Sequence, residues 1–219
     1  MTTLKQQTDE QIAKTRQAKP EFMQQLDVLL NEARAFQQGA QSIKVGEKAP
    51  DFTLPNATDN RVNLAMLLTK GPVVITFYRG SWCPYCNLQL RALQSRLSDI
   101  HELGAELVAI SPEVPDNSLS QEERNILPFP VLSDQDAIIA SLYGIAWEVP
   151  DLILSHMKKD RNLQLSNINN GNGSILPLPA TFIVNTTGNV VWKYVDVDYR
   201  MRAEPEDIVT ELKRLANKI

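Results

Sequence analysis

The chain has 219 residues, 43% of them hydrophobic, and carries 22 Lys and Arg against 26 Asp and Glu for a formal net charge of −4. That length buries a full core in one domain and leaves residues for an extension. The slightly acidic balance gives no broad positive field, which argues against nucleic acid and anionic membrane surfaces as partners.

Residues 1–44 read as a helical N-terminal extension, rich in Gln, Glu, Lys and Ala. Pro20 opens its clearer half, where Phe22, Leu26, Leu29, Leu30, Ala33 and Phe36 form an apolar stripe at helical spacing. Such a stripe packs on its own domain or on a second subunit in a homodimer. The polar start lacks the apolar stretch of a secretory signal, and no apolar run reaches membrane-spanning length, so a cytoplasmic protein is expected.

Residues 45–219 carry the main domain. After a turn-rich stretch from Gly46 to Asn60, the run Val73 to Phe77 behind Gly71-Pro72 predicts a buried strand. A helix bearing Leu90, Leu93, Leu97 and Ile100 follows, then a strand over Ala105–Ile110, a polar loop, and a helix around Ala137–Tyr143. Between about 151 and 177 the pattern breaks, predicting an insertion that is part helix and part mobile loop. Its Gly171-Asn172-Gly173 follows no strand and has no P-loop lysine pattern, so it reads as a solvated loop. Strands over Thr181–Asn185 and Val190–Val195 and a final helix from Pro205, burying Ile208, Leu212 and Leu215, complete an α/β layered domain with a central mixed sheet flanked by helices.

The only two cysteines, Cys83 and Cys86, stand in Trp82-Cys83-Pro84-Tyr85-Cys86 just past the first buried strand. A bond between them closes too small a loop to add much stability, so the pair reads as chemistry. Pro84 suits the first helical position, which places Cys83 at the N-cap, where unpaired amides favour a thiolate. Arg79 adds positive charge, and Trp82 is expected to shield the pair. On this reading Cys83, at the open end, attacks, and Cys86, a turn deeper, resolves. His101 and His156 lie too far away to make a zinc site, so no metal and no cofactor are expected. Neither histidine is assigned to catalysis. Glu113 is a candidate proton relay at a strand end, though solvation is its plainer role. Trp147 and Trp192 read as packing aromatics.

Gly46-Glu47-Lys48-Ala49-Pro50-Asp51-Phe52-Thr53-Leu54, then Pro72 to Tyr78, Phe129 to Asp134, Tyr143-Gly144-Ile145 and Pro179 to Gly188, resemble peroxiredoxins of the alkyl hydroperoxide reductase/thiol-specific antioxidant family. The resemblance implies a thioredoxin fold. It also implies reduction of hydrogen peroxide or organic hydroperoxides, with recycling by thioredoxin or a glutaredoxin-type reductant. The family's spacing from Phe77 falls on Cys86 as the peroxidatic cysteine, with Cys83 in its Thr position, Arg79 in its Pro position and Pro179 where it carries an Arg. Pro179 instead looks like the cis-proline that faces the cysteines in thioredoxins, and Cys-Pro-Tyr-Cys is the glutaredoxin choice. Two assignments of the attacking cysteine therefore stand, and two functions beside peroxide reduction: thiol-disulfide exchange on proteins, and a non-enzymatic redox sensor or adaptor.

Overall fold

The computed structural model describes residues 2–114, 127–171 and 173–217. Most of the expected polar loop after Ile110, and Asn172, lie outside the described residues.

Five strands form the central sheet in the order β5 (Val131–Ser133), β4 (Glu106–Ser111), β3 (Val73–Phe77), β8 (Ala180–Val184) and β9 (Val190–Val195). β3 runs parallel to β4, and β4 to β5, while β8 is antiparallel to both β3 and β9. The sheet is therefore mixed. Every residue of β3 and of β8 is buried, as expected of central strands covered on both faces. Strand alternation assigns the two faces: Val74 and Ile183 point into one apolar cluster, and Val73, Ile75, Phe77, Ala180, Phe182 and Val184 into the other.

The second face is closed by α3 (Leu64–Leu68) and α6 (Ile138–Leu142) around Tyr143. The Tyr143 ring packs on Phe77 and Phe182, and its hydroxyl donates to the Pro50 carbonyl at 3.0 Å. The first face is closed by α4 (Pro84–Ser95), α5 (Leu97–Glu102) and α9 (Pro205–Ala216). The single helix expected through Leu90 and Ile100 is thus two helices, broken at Arg96.

The extension folds as α1 (Leu4–Ala18) and α2 (Pro20–Ala35). A capping box closes the start of α1, with Gln6 and Thr3 satisfying each other's backbone amides. Met23, Leu26 and Leu30 of α2 are fully buried in the same cluster as Leu90 and Leu93 of α4. Phe36, expected on that stripe, lies past the end of α2 and is 85% exposed.

The 151–177 region is part helical, as expected, and differs from its expectation in ending on a strand. It folds as α7 (Asp151–Arg161), ended by Asn162 in the left-handed conformation, then α8 (Leu165–Ile168) and β7 (Ile175–Pro177). β7 pairs with β6 (Ala146–Glu148) in an antiparallel two-stranded sheet, so backbone hydrogen bonds replace the expected loop at its end. Gly171 sits where a Cβ would meet Asp136 Oδ1 at 2.4 Å, and a carboxylate is the wrong neighbour for a phosphate. Trp147 and Trp192 are half-buried against the core. No helix among the described residues is long and apolar enough to cross a membrane.

Candidate active site

The loop from Tyr78 to Cys83 leaves the end of β3 and is held from several sides. The Tyr78 amide donates to the Ile110 carbonyl at 2.9 Å, and the Ser81 amide and hydroxyl both donate to the Glu113 carboxylate. The Asn87 amide group donates to the Ser81 carbonyl, and Arg161 of α7 donates to the Trp82 carbonyl at 2.9 Å. Gly80 has φ of +151°, and a Cβ there would lie 2.2 Å from the Trp82 indole nitrogen, so the loop closes only on glycine.

Helix α4 begins at Pro84 with Cys83 as its N-cap residue. Gln89, one turn beyond Cys86, donates to Thr76 of β3 at 3.1 Å and to Thr181 of β8 at 3.4 Å, and the two threonine hydroxyls also bond each other. This buried polar patch fixes α4 over the middle of the sheet and thereby sets the depth of both cysteines.

Both sulfurs are enclosed, with Cys83 at 1% exposure and Cys86 at 0%. The expectation of an open Cys83 is corrected here: α1, α2 and α7 roof the helix mouth, and the Cys83 side chain takes no capping hydrogen bond from the helix amides. The charge expected on Cys83 is also displaced. Burial pushes the Cys83 thiol up, and its hydrogen bond to Cys86 pushes it further. Burial opposes ionisation of Cys86 too, but the Cys83 hydrogen bond, the Arg202 guanidinium, the Arg79 backbone amide and the Arg79 charge together hold it well below the ordinary thiol value.

Arg202 was not singled out from the sequence. It lies in the loop between β9 and α9, where Asp198-Tyr199-Arg200-Met201-Arg202 offers two arginines and no pattern that says which faces the cysteines. Its Nη2 stands 3.0 Å from Cys86 Sγ and 4.0 Å from Cys83 Sγ. Its Nη1 donates to the Tyr199 and Met201 carbonyls, and its Nε has no hydrogen-bond partner among the described residues. No carboxylate lies within ion-pair distance of it among the described residues, so Cys86 is the counter-charge at hand.

The loop bearing Arg202 is anchored to the N-terminal extension. Arg200 pairs with Asp198 through two hydrogen bonds of 2.8 Å and reaches Asp27 of α2 at 2.9 Å, while Arg34 of α2 reaches Asp198 at 3.1 Å.

Arg79 is buried, with its guanidinium 4.1 Å from the Tyr199 ring centre and 5.0 Å from that of Trp82. Trp82 lines the cleft described below. Glu113 binds Ser81, a structural contact at the strand end. Pro179 immediately precedes Ala180, which pairs with Phe77, and so stands at the end of β3 from which the cysteine loop departs. No peptide bond among the described residues is cis, which corrects the cis-proline expectation for Pro179; its carbonyl instead accepts from the Asp196 amide, continuing the β8–β9 ladder.

One cleft of about 400 Å³ leads to this centre. Phe22, Trp82, Ile153, Met157 and Tyr199 give it an apolar wall, and Lys14, Lys19, His156 and Arg161 stand around it, with Cys83 in its lining and Cys86 outside it. His156 stacks on Phe22 with ring centres 3.9 Å apart and pairs with Asp160, so the histidine assigned to a polar insertion lies against the cleft. Its pKa is lowered, burial outweighing Asp160.

The sequence profile of the AhpC/TSA family matches residues 45–193. A Mycobacterium tuberculosis relative named as a peroxiredoxin is 35% identical over 99 residues, covering 45% of this chain and 62% of its own length. Peroxiredoxin Bcp of Escherichia coli is 28% identical over 103 residues, covering 47% of this chain and 65% of its own length. The chain thus spans somewhat less than two thirds of these relatives. Among solved structures, peroxidoxin BcpB of Mycobacterium tuberculosis superposes with a TM-score of 0.58 at 22% identity over 79% of this chain and 98% of the other. Peroxiredoxin Q of Xanthomonas campestris gives a TM-score of 0.58 at 18% identity over 79% and 99%. At such identities the superpositions establish the shared thioredoxin-type fold.

Proposed function

Because the chain belongs to the AhpC/TSA family, we propose that it is a thiol-dependent peroxidase in which Cys86 is the attacking thiolate and Cys83 the resolving thiol. The observation that carries this reading is Arg202 Nη2 at 3.0 Å from Cys86 Sγ. The thiolate is the nucleophilic form, and of the two sulfurs Cys86 is the one whose charge is supported.

The Cys86 thiolate attacks one oxygen of a hydroperoxide, the O–O bond breaks, and the departing oxygen takes a proton to leave as water or an alcohol. Cys86 is then a sulfenic acid. Cys83 Sγ loses its proton and attacks Cys86 Sγ, the S–O bond breaks, and hydroxide leaves with that proton as water. The product is a Cys83–Cys86 disulfide, which a thiol reductant returns to the dithiol. Arg79 and Arg202 both hold the thiolate, and Trp82 forms part of the wall that screens the pair. In this reading the substrates are hydrogen peroxide or organic hydroperoxides, the protein works in the cytoplasm, and residues 1–44 are an extension serving the 45–219 domain. Exchange with protein disulfides, which Pro179 and the dithiol motif favour, is the second reading; a trans Pro179 and a buried Cys83 weigh against it.

The test is sulfenic acid trapping with dimedone after one equivalent of hydrogen peroxide. The adduct is expected on Cys86 in Cys83→Ser and absent in Cys86→Ser. An adduct on Cys83 alone reverses the assignment, and an oxidation rate no faster than that of free cysteine removes the peroxidase reading.

A further inference from the structure

We propose that the reductant of this enzyme is a small anionic thiol that enters the cleft under α1 and α7 and attacks Cys83 Sγ of the disulfide. The inference rests on the peroxidase reading for the existence of that disulfide and goes further in naming what reduces it.

Access comes first. With both sulfurs at 1% exposure or less, a protein reductant reaches them only if α1, α2 or α7 moves aside, and α7 is held to the α1–α2 junction, to α2 and to the cysteine loop. Lys19 pairs with Asp160 at 2.8 Å, Arg161 holds the Trp82 carbonyl, and Phe22 stacks on His156. The cleft, at about 400 Å³, falls in the size range of small-molecule sites. It is far larger than hydrogen peroxide needs, given that a water molecule takes up about 30 Å³ of the liquid.

The sulfur that the cleft presents fits reduction better than peroxide cleavage, because Cys83 is in its lining and Cys86 is not. In thiol-disulfide exchange the better leaving group is the thiol of lower pKa. Attack on Cys83 expels Cys86, whose negative charge lands beside Arg202. Attack on Cys86 would instead expel Cys83, whose charge burial disfavours. The first thiolate forms a bond to Cys83 Sγ while the Cys83–Cys86 bond breaks, its electron pair leaving on Cys86. A second thiolate attacks the small thiol's own sulfur in this mixed disulfide and releases a small disulfide, and Cys83 departs and takes a proton. Two thiols thus lose two electrons and the protein disulfide gains them.

Charge sets the class of thiol. The charged groups of the lining are Lys14, Lys19, Arg79 and Arg161, with no Asp or Glu among them. Lys19 and Arg161 already have partners, whereas Lys14 makes no hydrogen bond or ion pair among the described residues. Carboxylates on the entering thiol would meet these cations at the mouth while its sulfur lies against the apolar wall.

The experiment uses full-length protein oxidised with diamide, so that the disulfide is made without peroxide. Its reduction is followed by stopped-flow tryptophan fluorescence with glutathione, 2-mercaptoethanol or cysteamine, each rate corrected to the thiolate, and with thioredoxin and its reductase. Glutathione is expected to exceed neutral 2-mercaptoethanol by roughly tenfold at low salt and cationic cysteamine by more, as for a charge-focusing cleft. The advantage shrinks as salt rises. Lys14→Glu is expected to cut the glutathione to 2-mercaptoethanol ratio by about fivefold, and Lys14→Arg to keep it. Equal rates for the three thiols, a ratio unmoved by Lys14→Glu, or faster reduction by thioredoxin than by glutathione at equal concentration overturns the inference. Charge-selective reduction without a fast peroxide reaction would instead overturn the peroxidase reading alone.

Discussion

A buried guanidinium needs a counter-charge, and Arg202 faces two sulfurs and two carbonyls with no carboxylate among its described neighbours. Removing its charge leaves the buried Cys86 thiolate with only Arg79 and the Cys83 hydrogen bond against desolvation. In Arg202→Met the Cys86 pKa is therefore expected to rise. Because the thiolate is the charged form, wild-type alkylation by iodoacetamide is expected to persist as pH falls below the ordinary thiol value of about 8.5, and the variant is expected to lose it at higher pH. Single-turnover oxidation by peroxide at pH 7 is expected to drop by roughly a hundredfold, the usual cost of removing one preorganised charge donor. An unmoved alkylation profile would detach Arg202 from the thiolate.

The elements divide the labour of placing that arginine. β3 and α4 fix the cysteines through Thr76, Thr181 and Gln89, while α2 fixes the Arg202 loop through Asp27 and Arg34. Asp27 is a positioning residue on this account. Asp27→Asn is expected to raise the Cys86 alkylation inflection while costing under about 1 kcal/mol of stability, because the pair is partly exposed. A fall in melting temperature with no change in the inflection would mark the contact as merely structural. Burial raises the Asp27 carboxyl pKa, but Arg200 and Arg16 lower it further, so the folded value lies below the unfolded one. Its contribution is then complete above about pH 4 and drains as pH falls through the lowered value. Loosening of α2 from the Arg202 loop is expected only in acid.

At the scale of the whole molecule, the N-terminal extension shares its apolar cluster with α4, α5 and α9. Leu26 is fully buried there, and Leu26→Ala is expected to cost about 2–5 kcal/mol. Because the cluster is continuous, the loss should appear as a lower midpoint of one cooperative transition, with far-UV circular dichroism and tryptophan fluorescence moving together. Two separated transitions, with fluorescence unaffected in the first, would show that residues 1–44 unfold independently of the site.

The position of the cysteine pair, the strand before it, the proline that starts its helix and the α/β alternation are all local in sequence, and each was legible there. Hydrophobic runs and Pro84 act within a few residues, so spacing alone reveals them. The strand that ends 151–177 was not legible, because β7 is stabilised by pairing with β6, some thirty residues earlier. The polarity of the pair was not legible either. Helix position favoured Cys83, yet a sulfur's charge depends on burial and on which guanidinium reaches it, and Arg202 arrives from 116 residues beyond Cys86. The amino-acid sequence by itself determined where the two thiols sit; only tertiary packing, which buries both and sets one arginine beside Cys86, decided that their surroundings differ, because burial and a distant guanidinium act through space and not through sequence spacing.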